Sequence, residues 1–347
     1  MTPPKFRSTA LRPEEVGTAD ACPGAPLYTP WDKGRYEVRT ALAALGIDYG
    51  NGKADAQLFQ IDDSFNRFRD VVLSSRRESL DKHVTISDAF SERVEGGVAL
   101  FIAFRLAEEH PQSFQLREDS DGPVLICRRT GETLCFDPGG RLTRAQGSTI
   151  EPAYVGAFDA LCSQVQEDIC IVIRHDDSSN EVAAIHLCAA NHWAAQEKIG
   201  TDFATVHLPV PGIGPVNDRA RQLVDAMVDR GPYVRFVWGI TSDTRLNHHP
   251  DPAPGADPVT WHGRKFDPVE RQLFIRIERQ VLWGLPQVQA AIFAIRPSFR
   301  DGEIVRADPL LNAALVSALE GMSEAEAQYK GVAETRSDII AWLRSAQ

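Results

Sequence analysis

His207 is the residue whose surroundings most suggest chemistry. The segment VHLPVPG, residues 206–212, places Pro209 and Pro211 soon after this histidine. Proline fixes the backbone angle φ and removes a hydrogen-bond donor, so the two prolines stiffen the chain beside the imidazole. A metal-ligand imidazole needs a fixed orientation, which a stiff segment provides. A packed or surface histidine explains the residue types as well, so both interpretations stay open here.

Charged residues on apolar, strand-like runs form a second group of candidates. In RIERQ, residues 276–280, alternation along a strand places Arg276 and Glu278 on one face and Arg279 on the other. Arg235 lies in another such run, YVRFVWGI. Arginines buried in an apolar sheet need anionic partners. These partners are either structural carboxylates such as Glu278 or the carboxylates of a bound ligand.

Several catalytic motifs are missing from the sequence. It contains no G-x-G-x-x-G after a strand, no G-x-x-x-x-G-K-[ST], no H-E-x-x-H and no G-x-S-x-G. A stand-alone NAD-, ATP- or zinc-dependent enzyme is therefore poorly supported. His248, His249 and His262 flank the Pro-rich stretch NHHPDPAPGADP, but no cysteine or regular spacing supports a zinc site there. We therefore interpret this stretch as a solvated loop.

The composition is that of a globular protein with an acidic balance of charge. The chain has 347 residues, of which 43% are hydrophobic and 24% charged, and its net charge is −11. This charge disfavours nucleic acid and anionic membranes as partners, whereas a basic redox partner or a cationic substrate is compatible with it. The sequence shows no signal-like apolar stretch and no run of about 18 apolar residues. We therefore expect a cytoplasmic protein with reduced cysteines and no membrane partner.

The element pattern predicts an α+β fold. Residues 1–30 predict an extended N-terminal arm, and residues 31–347 a single domain. Up to about residue 165 the pattern predicts mostly helix, with helices over residues 63–82 and 87–109 and one hairpin around Thr130-Gly131. In the core, about residues 165–300, the pattern predicts an antiparallel sheet of about five strands, to which N- and C-terminal helices are added. The predicted strands are residues 168–175, 181–190, 233–240, 273–279 and 290–297.

Further local signals concern the segment around His207 and the tail. Residues 192–199 predict a short helix that Gly200 stops, and Pro215 opens another helix with an apolar face. The run ATVH predicts a strand that ends at His207. In the helical tail, Ser323 and Glu326 have the spacing of a capping box.

Six blocks of sequence occur in an order typical of one protein family. They are QEDICIVI (166–173), the helix from Trp193 to Gly200, VHLPVPG (206–212), the strand ending in Trp238, FIRIERQVLWGLPQVQAAIFAIR (274–296) and YKG (329–331). Together they resemble the haem-dependent oxidative N-demethylase α-subunit family, over roughly residues 28–345. Trp283 and Gly284 stand where that family commonly has basic residues. The resemblance therefore supports the fold and the cofactor better than the substrate.

The resemblance implies a PAS-like antiparallel sheet that holds haem b. It implies O₂-dependent removal of a methyl group from a small secondary amine such as dimethylamine, with release of formaldehyde. It also implies electrons from a separate flavin and iron–sulfur reductase subunit, which agrees with the missing nucleotide-binding motifs. A haem sensor or carrier without turnover is the alternative, and an interaction domain that has lost haem is a third possibility.

The resemblance makes His207 the candidate ligand of the haem iron. An oxygen-activating haem needs one axial protein ligand and an open opposite face. His192, His186 and Cys188 are competing ligands, since all lie within about twenty residues of His207 in the sequence.

The remaining candidates would contact the haem propionates or the substrate. Arg235, Arg276 and Arg279 are the candidate propionate partners. Glu278 and Trp238 are the candidate catalytic residues. Glu278 would orient a distal water or the amine, or would simply pair with Arg276.

Overall fold

The fold is α+β, as the sequence predicts. A computed structural model describes residues 26–345, which form eleven strands in two antiparallel sheets and eleven α-helices. The strands, numbered in chain order, are β1 (Ala43–Ala44), β2 (Val84–Ile86), β3 (Phe114–Asp119), β4 (Gly122–Cys127), β5 (Glu132–Phe136), β6 (Leu142–Gln146), β7 (Asp168–Arg174), β8 (Asn180–His186), β9 (Tyr233–Thr241), β10 (Phe274–Leu285) and β11 (Ala290–Asp301). The helices are α1 (Phe65–His83), α2 (Glu92–Glu109), α3 (Ala157–Cys162), α4 (Phe203–His207), α5 (Gly214–Asn217), α6 (Ala220–Asp229), α7 (Pro258–His262), α8 (Gly302–Ala307), α9 (Pro309–Gly321), α10 (Glu324–Tyr329) and α11 (Arg336–Arg344).

The larger sheet has seven strands in the order β1-β9-β10-β11-β7-β8-β2. Its five central strands are the five that the sequence predicts, and each pairs with its neighbours in antiparallel fashion. The predicted count is too low because β1 and β2, with two and three residues, are too short to show an alternating pattern. β10 and β11 have twelve residues each and pair along their whole length.

The smaller sheet, in the order β3-β4-β5-β6, is only partly predicted by the sequence. The hairpin at Thr130-Gly131 is confirmed as the β4–β5 turn, where Gly131 has a left-handed φ of 74°. The prediction of mostly helix up to residue 165 is wrong for the outer strands of this sheet. No residue of β6 is fully buried, so no apolar alternation marks it as a strand.

The long N-terminal helices and the capping box are confirmed. α1 and α2 correspond to the helices predicted over residues 63–82 and 87–109, although α2 begins only after Ser91. At the start of α10, the Ser323 side chain accepts from the Glu326 amide and the Glu326 carboxylate accepts from the Ser323 amide. This reciprocal pairing satisfies two amides that the helix itself leaves free.

The helices predicted on either side of His207 are shorter than expected. The one predicted over residues 192–199 is a 3₁₀ turn, Ala195–Glu197. The one predicted from Pro215 is divided into α5 and α6, because Arg219 leaves helical geometry with φ −114° and ψ 16°. The chain between β8 and β9 is therefore a series of short turns and helices.

Both faces of the larger sheet are covered. One face packs against α2, α3 and the smaller sheet, and buries Ile171, Val281 and Ile292. Helices α8–α11 pack against the β9–β10 end of the sheet, around Ile275 and Ile277. The other face meets α6 and the segment before it, and a cavity lies between them.

Two further points concern membrane-spanning helices and the N-terminal arm. No helix within residues 26–345 is long and apolar enough to cross a bilayer. Residues 1–25, most of the predicted N-terminal arm, lie outside the described residues. The division into an arm and one domain therefore stays a prediction.

Candidate functional site

A cavity of about 570 Å³ lies on one face of the larger sheet. Strands β7–β11 form its floor, and residues 33–42, the segment 191–216, α6 and residues 329–330 enclose it. The volume falls within the range of roughly 300–1,000 Å³ that small-molecule and cofactor sites occupy. The cavity has two halves that differ in chemistry.

The apolar half lies over β7, β8 and β11. The side chains that face it from these strands are Cys170, Val172, Val182, Ile185 and Phe293. The sheet register brings them together, since Phe293 pairs with Cys170 between β11 and β7. On the opposite side, α4–α6 contribute Phe203, Val206, Val216, Leu223 and Met227. These walls suit a large apolar ligand.

The polar half lies over β9 and β10. It consists of Arg235, Arg264, Arg276, Glu278, Gln280 and Lys330. β10 supplies three of them, because every second side chain from Arg276 to Gln280 points to the same face. Arg235 joins them because it pairs with Gln280 in the β9–β10 ladder. Four cationic side chains and one carboxylate thus line the same half of the cavity.

His207 is the last residue of α4 and lines the cavity beside Phe203. The predicted strand end at this residue is wrong, because the Asp202 side chain accepts a hydrogen bond from the Thr205 amide and begins a helix. Nδ1 of His207 donates to the Phe203 carbonyl at 2.7 Å, which leaves Nε2 without a proton. Burial lowers the pKa of His207, so the ring is neutral at pH 7. Neutral imidazole is the form that binds metals.

Glu278 is held in a fixed orientation. Its Oε1 accepts a hydrogen bond from Asn191 Nδ2 at 2.7 Å, and its Oε2 accepts one from Gln280 Nε2 at 3.1 Å. Nε of Arg276 lies 3.5 Å from Oε1, so the Arg276–Glu278 pairing that the sequence suggested is present. Both carboxylate oxygens are therefore positioned by neighbours on the cavity wall.

Arg276 and Arg279 lie on opposite faces of β10. The Nη atoms of Arg276 donate to the carbonyls of Leu246 at 2.8 Å and Ala189 at 2.6 Å, so its guanidinium is largely engaged by main chain. Arg279 donates to carbonyls within residues 55–58, away from the cavity. The structure therefore does not bring Arg279, one of the predicted propionate partners, to the cavity.

Arg235, Arg264 and Lys330 differ from Arg276 in lacking hydrogen-bond and ion-pair partners. Within residues 26–345, their side chains form no hydrogen bond or ion pair, and Nε of Arg235 is buried without an acceptor. Removal from water lowers the pKa of Lys330 to about 8 and that of Arg264 to about 10. Nζ of Lys330 lies 5.4 Å from the ring centroid of Tyr36. Cations in such a position call for an anionic ligand.

Trp238 borders the cavity but packs on the far side of β9. It pairs with Ile277 in the ladder, on the face opposite Glu278. Its ring centroid lies 6.1 Å from that of Trp31 and 5.8 Å from that of Tyr36. Because Tyr36 lines the cavity, Trp238 supports the wall from behind.

The histidines near residue 248 are buried, so the prediction of a solvated loop is wrong for them. His248 and His249 are each 1% exposed. Nε2 of His248 lies 2.9 Å from Asp243 Oδ1, and its ring stacks on His192 at a centroid distance of 5.4 Å. Burial lowers the pKa of His248 to about 4 and also lowers the pKa of His192. The spacing of the histidines alone does not reveal the Asp243 partner that allows this burial.

Two of the four candidate iron ligands line the cavity, namely His207 and His192. His186 and Cys188 contact each other outside it, with Nδ1 3.9 Å from Sγ. In the described part of the chain, no group of three or more His, Cys, Asp and Glu side chains could hold a metal ion.

Arg264, Lys330 and Asn191 are site residues that the sequence analysis missed. Lys330 belongs to the YKG block. Within that block, the residue whose type indicates a structural constraint is the next one, Gly331. Gly331 has a left-handed φ of 69°, and a Cβ at this position would collide with the Arg264 side chain. The glycine thus marks the place where the segment after α10 and the segment of Arg264 come together.

One comparison with known proteins bears on this site. The family model described as haem-dependent oxidative N-demethylase, alpha subunit-like matches residues 52–340. The matched range contains His207 and the whole polar half of the cavity.

Proposed function

The chain belongs to the haem-dependent oxidative N-demethylase α-subunit-like family and is an oxygenase of that kind; on this premise we propose that it demethylates a small secondary amine, with O₂ and with haem b in the cavity. The observation that carries the proposal is His207, whose Nδ1 is engaged by Phe203 while Nε2 stays free beside the apolar half. The five adjacent antiparallel strands under the cavity support a PAS-like core.

The residues of the cavity fit haem b. His207 would hold the iron through Nε2, and the hydrogen bond from Nδ1 would fix the ring and raise its basicity. The apolar half would receive the porphyrin. Arg235, with its unpartnered guanidinium, would pair with a propionate. Arg276 is less suited to that role because its Nη atoms already donate to main-chain carbonyls.

When bound, haem supplies an iron that binds and activates O₂. Glu278 would accept a hydrogen bond from the substrate N–H and so orient the methyl group. Asn191 and Gln280 keep its two oxygens in place, which makes this acceptor preorganised. Trp238 would act as a positioning residue through Tyr36 rather than by touching the substrate.

The reaction needs an external reductant. A secondary N-methyl amine, O₂, two electrons and two protons give the primary amine, formaldehyde and water. The missing nucleotide-binding motifs support electron delivery by a separate flavin and iron–sulfur reductase subunit. Catalytic oxidation of NADPH by the isolated chain would contradict this part of the proposal.

The test combines a spectrum with product analysis. We expect the haem-loaded protein to show a Soret band of histidine-ligated type and, with a reductant and an N-methyl amine, to release formaldehyde. His207→Ala should lose this spectrum, and added imidazole should partly restore haem binding. His175→Ala, which alters a partly exposed histidine outside the cavity, is the matched control.

Two results would overturn the proposal in different ways. An unchanged spectrum in folded His207→Ala protein would remove His207 as the ligand and point to His192. Haem binding without formaldehyde from any N-methyl amine would favour a sensor or carrier.

A further inference from the structure

The cavity is cationic although the chain is acidic. Eight Lys or Arg side chains and three Glu side chains line it, which gives the lining a formal charge of +5. The whole chain has a net charge of −11. The two propionates of haem b supply at most two negative charges. Positive charge therefore remains after the cofactor of the proposed function is accounted for.

Arg264 and Lys330 carry the clearest part of this surplus. Lys330 is 9% exposed, and neither side chain has a hydrogen bond or ion pair within residues 26–345. Glu278 is the carboxylate whose charge acts most strongly on Lys330. However, the hydrogen bonds and the ion pair of Glu278 within residues 26–345 go to Asn191, Gln280 and Arg276, so it contacts neither of the two cations directly.

The arrangement complements a molecule that carries both an amine and a carboxylate. Glu278 offers an acceptor for an N–H group, and Lys330 and Arg264 offer donors for an anion on the same wall. In an α-amino acid the two groups are separated by a single carbon. A simple cation such as dimethylammonium would meet only Glu278 and would be repelled by the four cations that line the same half of the cavity.

We propose that the substrate is a secondary amine that bears a carboxylate, of the N-methyl amino acid class, and that Arg264 and Lys330 bind its carboxylate while Glu278 accepts from its N–H. This inference rests on the proposed function, because it assigns the substrate of the same site. It also replaces the cationic substrate that the net charge of the sequence allowed.

The experiment compares three ligands with the haem-loaded protein. N-methylglycine, N-methylglycinamide and dimethylamine are titrated while the Soret band and the heat of binding are followed. N-methylglycine should bind at least about tenfold more tightly than the amide, which differs from it chiefly in lacking the carboxylate charge. Dimethylamine should bind more weakly than N-methylglycine.

Arg264→Gln and Lys330→Gln should each remove most of this preference and leave the haem content per folded protein unchanged. Lys265→Gln, which alters an exposed neighbour of Arg264, is the matched control and should keep the preference. Loss of haem from the Arg264 and Lys330 variants would overturn the inference, because these residues would then be propionate partners.

The outcomes separate the inference from the function on which it rests. A normal Soret band with equal affinity for N-methylglycine and its amide overturns the inference alone. A protein that binds no haem overturns the proposed function, and the substrate assignment falls with it.

Discussion

The two halves of the cavity are built on one sheet face and yet differ completely in chemistry. β7, β8 and β11 contribute apolar side chains, whereas β9 and β10 contribute four of the six members of the polar half. The change takes place within β10, between Leu282 and Gln280. The difference shows that the fold determines where a ligand can lie. The side chains of β9, β10 and the loops of Arg264 and Lys330 determine which ligand binds there.

The largest expected effect comes from placing a charge in the apolar half. Val172→Asp puts a carboxylate among the apolar walls of this half. We expect its free energy of unfolding to fall by about 3–4 kcal/mol more than that of Val172→Ala, which removes volume without adding charge. Urea denaturation at pH 8 measures both variants. Equal free energies of unfolding of the two variants would mean that water enters the apolar half and solvates the carboxylate.

Two arginines on opposite faces of β10 give the next comparison. Arg276→Met and Arg279→Met each remove hydrogen bonds from a buried guanidinium to main-chain carbonyls, so each should lower the free energy of unfolding by about 2–3 kcal/mol. Only Arg276→Met should also change the affinity for amine ligands, by about threefold or more, because Glu278 loses a neighbouring cation. A similar change of affinity in Arg279→Met would show that the two faces are not independent.

The smallest expected effect is the pH dependence that Lys330 causes in the cofactor-free protein. Burial lowers its pKa from 10.5 to about 8, so between these values the unfolded chain holds a proton that the folded chain has lost. The free energy of unfolding should therefore rise with pH across this window, relative to Lys330→Met, by about 1–3 kcal/mol. Thermal unfolding of both proteins at pH 7.5 and 10.5 measures it, and parallel curves would contradict the lowered pKa.

The parts of the fold that the sequence predicted are those that local pattern decides. The five central strands were found because their apolar, β-branched runs are long and bounded by turns. β1 and β6 were missed because one is too short and the other too exposed to show alternation. The helix that ends at His207 was missed because it depends on a single capping side chain, Asp202.

The site was predictable only where one strand carries its residues. Arg276 and Glu278 were found because alternation along β10 places them on one face. Arg264 and Lys330 were missed because they come from loops more than sixty residues apart, and only the folded chain brings them together. The sequence predicts Arg279 as a propionate partner because it shows that this arginine lies on a buried strand. It does not show on which face of the sheet the partner of the arginine lies.

The strict alternation of β10 has a consequence for how such a protein can diversify. Side chains at even-numbered positions from Arg276 to Leu282 line the cavity, while those at odd-numbered positions from Ile275 to Val281 pack into the cores and segments on the other face. Exchange of Glu278 or Gln280 alters what the cavity accepts without touching the packing on the other face. Residues that contact the ligand and residues that pack in the core therefore alternate along one strand. Ligand specificity can thus change during evolution while the core packing that holds the sheet is retained.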